Sequence, residues 1–154
     1  MYFLRAMTKT PMETALLEAQ AAAARGEVPV GCVITDAERR IVARAGNRTR
    51  ELNDPTAHAE ILAIRAAAQG LGQERLAGCD LYVTLEPCAM CAGAISFARI
   101  RRLYYGADDP KGGAVAHGPR FFSQPTCHHA PELYDGIGAE AAGDLLRDFF
   151  RQKR

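Results

Sequence analysis

Two short stretches carry the residues able to do chemistry. Thr56-Ala57-His58-Ala59-Glu60 sets a histidine two positions before a glutamate, and Glu86-Pro87-Cys88-Ala89-Met90-Cys91 sets two cysteines three positions apart. An imidazole and two thiolates are donors that zinc prefers, and one carboxylate is left to stay off the metal. A structural zinc is normally closed by four protein ligands, whereas three leave a position for water. This set therefore reads as a reactive centre. Each half alone is ambiguous: Cys-x-x-Cys also serves redox proteins and half zinc ribbons, and a lone histidine on a helix is more often packing or surface.

The elements that must position these residues can be read around them. Thr10-Pro11-Met12-Glu13 is a helix start, with Thr as cap, Pro at the first helical position and Glu three on. Met12, Leu16, Ala19 and Ala23 then share one face, and Gly26 supplies the stop. Val28–Thr35 and Arg40–Ala45 read as the two strands of an antiparallel hairpin, closed at Gly46 and Asn47. After the polar loop Arg48–Asp54, Asp54-Pro55-Thr56 opens a second helix that carries Ile61, Leu62, Ile64 and Ala68 and stops near Gly70. His58 and Glu60 fall in its first turn or two, pointing different ways, as suits one ligand and one group leaning over the open side. Asp80–Thr84 is a strand, and Pro87 starts a third helix, Cys88–Phe97, with both cysteines in its first turn. Free amides and the positive helix end favour thiolate there. Ile100–Tyr105 is a fourth strand and Gly106–Gly113 a Gly-rich loop. Phe121–Ala130 is less readable, Leu133–Asp135 is a short fifth strand, and Ala139–Lys153 is an amphipathic helix through Leu145, Leu146, Phe149 and Phe150. This alternation predicts an α/β fold in three layers around one mixed sheet.

The 154 residues make a single domain, with the N-terminal stretch 1–9 expected to be flexible. A net charge of +1 excludes a global basic field, so any nucleic-acid footprint is a local patch. Arg48, Arg50, Lys111, Arg147, Arg151, Lys153 and Arg154 could supply it, although each alone reads as a solvated surface charge. Five cysteines, two of them needed as thiolates, fit a reducing cytoplasm. Neither a signal peptide nor an 18-residue apolar run is present, so no membrane partner is expected. Cys32 and Cys79 read as core filler. Cys127-His128-His129 reads as a surface or dimer-contact loop in preference to a second metal site.

His-x-Glu followed by Pro-Cys-x-x-Cys is the signature of zinc-dependent nucleobase deaminases. Longer strings narrow the likeness. Gly26-Glu27-Val28-Pro29-Val30-Gly31, Asp54–Ile61 and Leu81–Ala94, with Gly106–Gly113 and Asp148-Phe149-Phe150-Arg151, resemble the bacterial tRNA-specific adenosine deaminases (the TadA family) of the cytidine deaminase-like superfamily. The resemblance implies a three-layer α/β/α fold with a five-stranded mixed sheet, and a homodimer that binds the anticodon stem-loop of an arginine tRNA. It implies one zinc per chain held by His58, Cys88 and Cys91, with Glu60 as proton shuttle. Substrate contacts are implied for Asn47, Ala59, Val30, Pro87, Asp109, Lys111 and Arg151. The segment Phe121–His129 departs from the better-known relatives, although a His-His pair recurs there.

The expected reaction is hydrolytic deamination of the wobble adenosine to inosine by zinc-bound hydroxide, zinc lowering the pKa of its water from near 16 to roughly 7. The active-site motif serves a free-base or nucleoside deaminase of guanine, cytosine or cytidine equally well. The RNA reading rests on the likeness outside that motif. A zinc-stabilised interaction module is the alternative of another class, and a fourth protein ligand would favour it.

Overall fold

The computed structural model describes residues 9–153. All but the last of residues 1–9, expected to be flexible, lie outside the described residues, as does Arg154. Among the described residues the expected helices and strands appear in order, joined by a 3-10 turn in the less readable segment: α1 (Pro11–Ala24), β1 (Gly31–Thr35), β2 (Ile41–Gly46), α2 (Ala59–Leu71), β3 (Asp80–Leu85), α3 (Ala89–Phe97), β4 (Arg102–Ala107), the 3-10 turn (Phe121–Ser123), β5 (Glu132–Tyr134) and α4 (Ala139–Gln152).

The sheet runs β2-β1-β3-β4-β5. The hairpin is antiparallel, with Gly31 opposite Gly46, and β1 is also antiparallel to β3. The pairs β3–β4 and β4–β5 are parallel, which makes the sheet mixed. Alternation along the strands splits the core in two. Cys32, Ile34, Leu81, Val83, Leu103 and Tyr105 face α2 and α3, packing on Ala63, Ala67, Ile95 and Ala98. Val33, Tyr82 and Tyr104 face the opposite way, towards Met12 and Ala15 of α1. On that second face Tyr82, Tyr104 and Tyr134 stack across three strands, with ring centroids 4.5 and 4.8 Å apart. The result is the expected three-layer α/β/α arrangement.

Local boundaries show what tertiary contacts altered. The capping box at Thr10 and Glu13 is formed. The buried stripe of α1, however, is Met12, Ala15, Ala19 and Ala22, with Leu16 and Ala23 only half-buried. Small side chains win this face because β1 comes too close for larger ones. Val28–Val30 do not join β1: the Val30 amide bonds the Val28 carbonyl at 2.8 Å, and Pro29 between them has no N–H to offer. Asp54-Pro55-Thr56 does not open α2. The Asp54 carboxylate accepts from both the amide (2.9 Å) and the hydroxyl (2.7 Å) of Thr56, which closes a turn, and the helix starts at Ala59. It also runs past Gly70 to end on Gly72 in the left-handed region, φ 67°. Its buried side chains are Ala59, Glu60, Ala63 and Ala67, while Ile61, Leu62 and Ile64 are half-buried.

Strand direction determines where chemistry can happen. The N-terminal end of β1 and the C-terminal ends of β2, β3 and β4 meet at one edge of the sheet. Val30, Asn47, Glu86–Cys88 and Asp109 lie at or just beyond that edge, and α2 and α3 begin there. A crevice outside the carboxyl ends of strands is the usual binding place in α/β folds.

Candidate active site

His58 and Cys88 are the N-cap residues of α2 and α3, both in extended backbone conformation. An N-cap side chain usually bonds a free amide of its own helix. Neither of these does. Each is instead turned toward the other, and Cys91, one turn into α3, completes the group. His58 Nδ1 lies 3.6 Å from Cys88 Sγ and 3.5 Å from Cys91 Sγ. With Zn–N bonds of about 2.0–2.1 Å and Zn–S bonds of about 2.3 Å, a tetrahedral angle gives an N···S edge of about 3.5 Å. The donors are therefore spaced as zinc needs them. Among the described residues no fourth donor joins the group, which leaves one position for water.

The electrostatics agree with that donor set. Hydrogen bonding from Cys91, followed by that from His58, pulls the Cys88 thiol down to about 4 despite partial burial. The Cys91 thiol moves up, because its proton sits in that same bond and the side chain is buried. The pair thus holds one thiolate by itself, and a bound dication would release the second proton. The thiolate of Cys88 in turn raises His58. Glu60 is 4% exposed, and burial lifts its carboxyl to about 7. A carboxyl that can both take and give a proton near neutrality suits general acid–base work.

These groups open onto a cavity of about 270 Å³ lined by Val28, Val30, Asn47, Thr49, His58, Ala59, Glu60, Leu85, Glu86, Cys88, Asp109 and Gly112. That is room for a planar heterocycle, within a mainly apolar lining that carries a few polar groups.

Residues 6–107 match the family described as the cytidine and deoxycytidylate deaminase zinc-binding region. The chain is 67% identical over 143 residues to the tRNA-specific adenosine deaminase of Agrobacterium fabrum, covering 93% of each chain. This chain belongs to the zinc-binding deaminases, in their tRNA-specific adenosine deaminase branch. A solved structure from a study of A-to-I editing by tRNA:A34 deaminases superposes with a TM-score of 0.87 at 66% identity, over 88% of this chain and 98% of that one. A guanine deaminase from Bacillus subtilis is more distant: TM-score 0.63 and 31% identity, over 93% of this chain and 92% of that one.

Of the substrate contacts expected for this deaminase, Val30, Asn47, Ala59 and Asp109 line the cavity. Pro87, buried behind it, accepts the Ala114 amide at 2.9 Å. Lys111 stands outside, in an adjoining groove shared with Val28, Leu85, Phe150 and Lys153. Arg151 lies further along α4 beside Arg147 and Phe150. The sequence reading missed Val28, Thr49, Leu85, Glu86 and Gly112. Glu86 had a signal: an acidic residue closing the apolar strand Leu81–Leu85.

Two buried carboxylates, Glu27 behind the cavity and Glu86 in its lining, hold its walls. Glu27, 1% exposed, accepts the amides of Arg50 (3.1 Å) and Glu51 (2.8 Å), anchoring the loop that carries Asn47 and Thr49. Glu86 does the same for the loop beyond β4. Cys127-His128-His129 packs on the end of α3. Ser96 Oγ donates to the His129 carbonyl at 2.7 Å, and His129 Nε2 reaches the Ile100 carbonyl at 2.7 Å. Among the described residues these three form no metal-ligand group.

Proposed function

We propose that this chain deaminates the wobble adenosine of a tRNA anticodon, with arginine tRNA as the substrate to test. Near-full-length identity to a tRNA-specific adenosine deaminase carries this reading. His58, Cys88 and Cys91 are the residues that would hold zinc. When bound, zinc supplies Lewis acidity that acidifies the attacking water.

The protein's own groups do the rest. The cavity takes one base out of bulk solvent, and an anticodon loop lowers the cost of presenting it, because its bases are already partly unstacked. The Asn47 side chain and the Ala59 amide orient that base. Glu60 accepts the proton of the water that adds to C6 and passes it to the neighbouring ring nitrogen. It then takes the proton of the new C6 hydroxyl and gives it to the amino group as the C6–N bond breaks, so adenosine and water become inosine and ammonia. Lys111, Arg151 and their basic neighbours meet phosphates outside the cavity.

A homodimer in the cytoplasm goes with this reading. Phe97 on α3 is 72% exposed beside Met90, an apolar surface a second copy would cover. Among the described residues no helix is long and apolar enough to cross a membrane.

The test is incubation with an arginine tRNA bearing an ACG anticodon and, separately, with free adenosine, cytosine and guanine. Inosine at the wobble position with untouched free bases is the expected outcome. Turnover of a free base alone would replace this reading with that of a nucleobase deaminase.

A further inference from the structure

One wall of the cavity, through Asp109 and Gly112, belongs to a loop, residues 108–117, that lies outside every helix and strand. Such a segment has no backbone ladder to define it, yet its position decides how the cavity closes. A single buried side chain organises it. Glu86 Oε2 accepts the successive amides of Val115 (3.1 Å), Ala116 (3.0 Å) and His117 (3.2 Å). Oε1 accepts the Asp109 amide at 3.0 Å and meets His117 Nδ1 at 2.7 Å. An ionised carboxylate can only accept, so Nδ1 carries the proton and donates.

Consecutive amides converging on one point form a concavity suited to an anion. Here the chain fills it with its own carboxylate. The fit is tight: a Cβ on Gly113 would lie 2.4 Å from Glu86 Cδ, so only glycine lets the loop close over it. Burial by itself would raise the carboxyl, but the Asp109 amide, the His117 ring and the further amides outweigh it and hold it below the usual range. Ligand atoms of Glu86, Asp108 and His117 come within 4.8 Å of one another. With five donors already on Glu86, that grouping is a latch and not a cation site.

We propose that Glu86 and His117 are positioning residues, whose contact fastens the loop 108–117 as the substrate-facing wall and thereby sets affinity for the target nucleotide. The proposal rests on the RNA-deaminase reading above. A released loop occupies its binding-competent arrangement only part of the time, and apparent affinity falls by that fraction. KM should therefore move while kcat, set by Glu60 and the metal group, stays. The place of His117 away from the ligand residues makes it the cleaner handle.

The test compares wild-type zinc-loaded enzyme with His117→Ala, His117→Asn and Glu86→Gln on an anticodon stem-loop, with amide hydrogen exchange followed in parallel. Losing the His117 hydrogen bond should raise KM about tenfold with kcat within about threefold, and speed exchange across 109–117 by a similar factor with α2 and α3 unchanged. His117→Asn, which keeps an N–H near the position of Nδ1, should restore both. Glu86→Gln should exceed His117→Ala in KM while retaining zinc. Unchanged KM and loop exchange in His117→Ala, or a loss confined to kcat, overturns the proposal. So does zinc loss in Glu86→Gln, which would make Glu86 a support for Cys88. Failure of the functional reading is separable: wild-type enzyme would then make no inosine, while the exchange comparison still decides the latch.

Discussion

His58 caps α2 and Cys91 lies within α3, yet His58 Nδ1 stands 3.5 Å from Cys91 Sγ, a tetrahedron's edge around zinc. The sheet brings them there by starting α2 and α3 at one edge, and both side chains are held by backbone already ordered for other reasons. The donors are thus spaced for zinc, and a bound dication would release the proton of the second thiol.

Zinc should accordingly stabilise the folded chain. Thermal unfolding with and without a chelator should show a lower Tm after metal removal, because binding at a hundredfold excess over Kd is worth about 2.7 kcal/mol. Cys91→Ser should lose bound metal, measured by atomic absorption, and should no longer respond to the chelator. A Cys91→Ser protein that kept stoichiometric zinc would remove this cysteine from the ligand set.

Glu60→Gln should separate chemistry from binding. It preserves shape and leaves the three donors in place, so zinc content should remain one per chain. Single-turnover deamination should fall by at least about 10²–10⁴-fold, the usual worth of general acid–base catalysis. Near-normal turnover would rule out the proton-transfer role.

Gly31 shows how closely α1 sits on β1. A Cβ added there would lie 1.9 Å from the Ala15 carbonyl oxygen and 2.6 Å from the Ala19 amide nitrogen, both backbone atoms that cannot swing aside. Gly31→Ala should cost about 1–3 kcal/mol or more. Urea unfolding should show a lower midpoint with unchanged slope. Gly26→Ala meets no atom within 4 Å, but its φ of 83° makes it a conformational control.

RNA binding should depend steeply on salt. Three of the candidate basic side chains already pair locally, Arg48 with Glu51, Arg147 with Asp144 and Arg151 with Asp148. Phosphates must displace these carboxylates as well as counterions. Arg151→Ala should weaken anticodon stem-loop binding and reduce the slope of log K against log salt by about 0.7. Fluorescence anisotropy between 50 and 200 mM salt measures it, and a flat response in the wild type would exclude a phosphate footprint.

Asp36 offers a pH test of the hairpin turn. The Arg40 amide, bonding its carboxylate at 2.9 Å, and the Arg40 guanidinium hold its pKa below 3.8. A depressed carboxyl stabilises above its unfolded pKa and loses that contribution as pH falls through its folded value. Asp36→Asn should therefore lower Tm near pH 7 and match the wild type in the acid limit. Carboxyl-detected NMR titration reads the folded value directly.

Much of this was legible in the residues. The helix cap at Thr10, the hairpin, the strand-and-helix alternation and the zinc donors all rest on local chemistry, and local chemistry survives folding. What was misjudged depended on neighbours distant in the chain. Ala15 and Ala22 displaced Leu16 and Ala23 from the buried stripe because β1 approaches α1 at Gly31 and β2 approaches it at Gly46. The start of α2 moved to Ala59 because the Asp54 side chain closes a turn on Thr56.

By itself the sequence determined which atoms could bind zinc and which carboxylate was left off the metal beside them, since ligand type and the spacing His-x-Glu and Cys-x-x-Cys are properties of the chain. Tertiary structure decided that one imidazole and two thiols stand 3.5–3.6 Å apart. It also decided that Glu60 is buried enough to titrate near 7, and that Glu86 fastens the wall they open onto. Those outcomes depend on distance and desolvation, and both arise only when separate stretches of chain pack together.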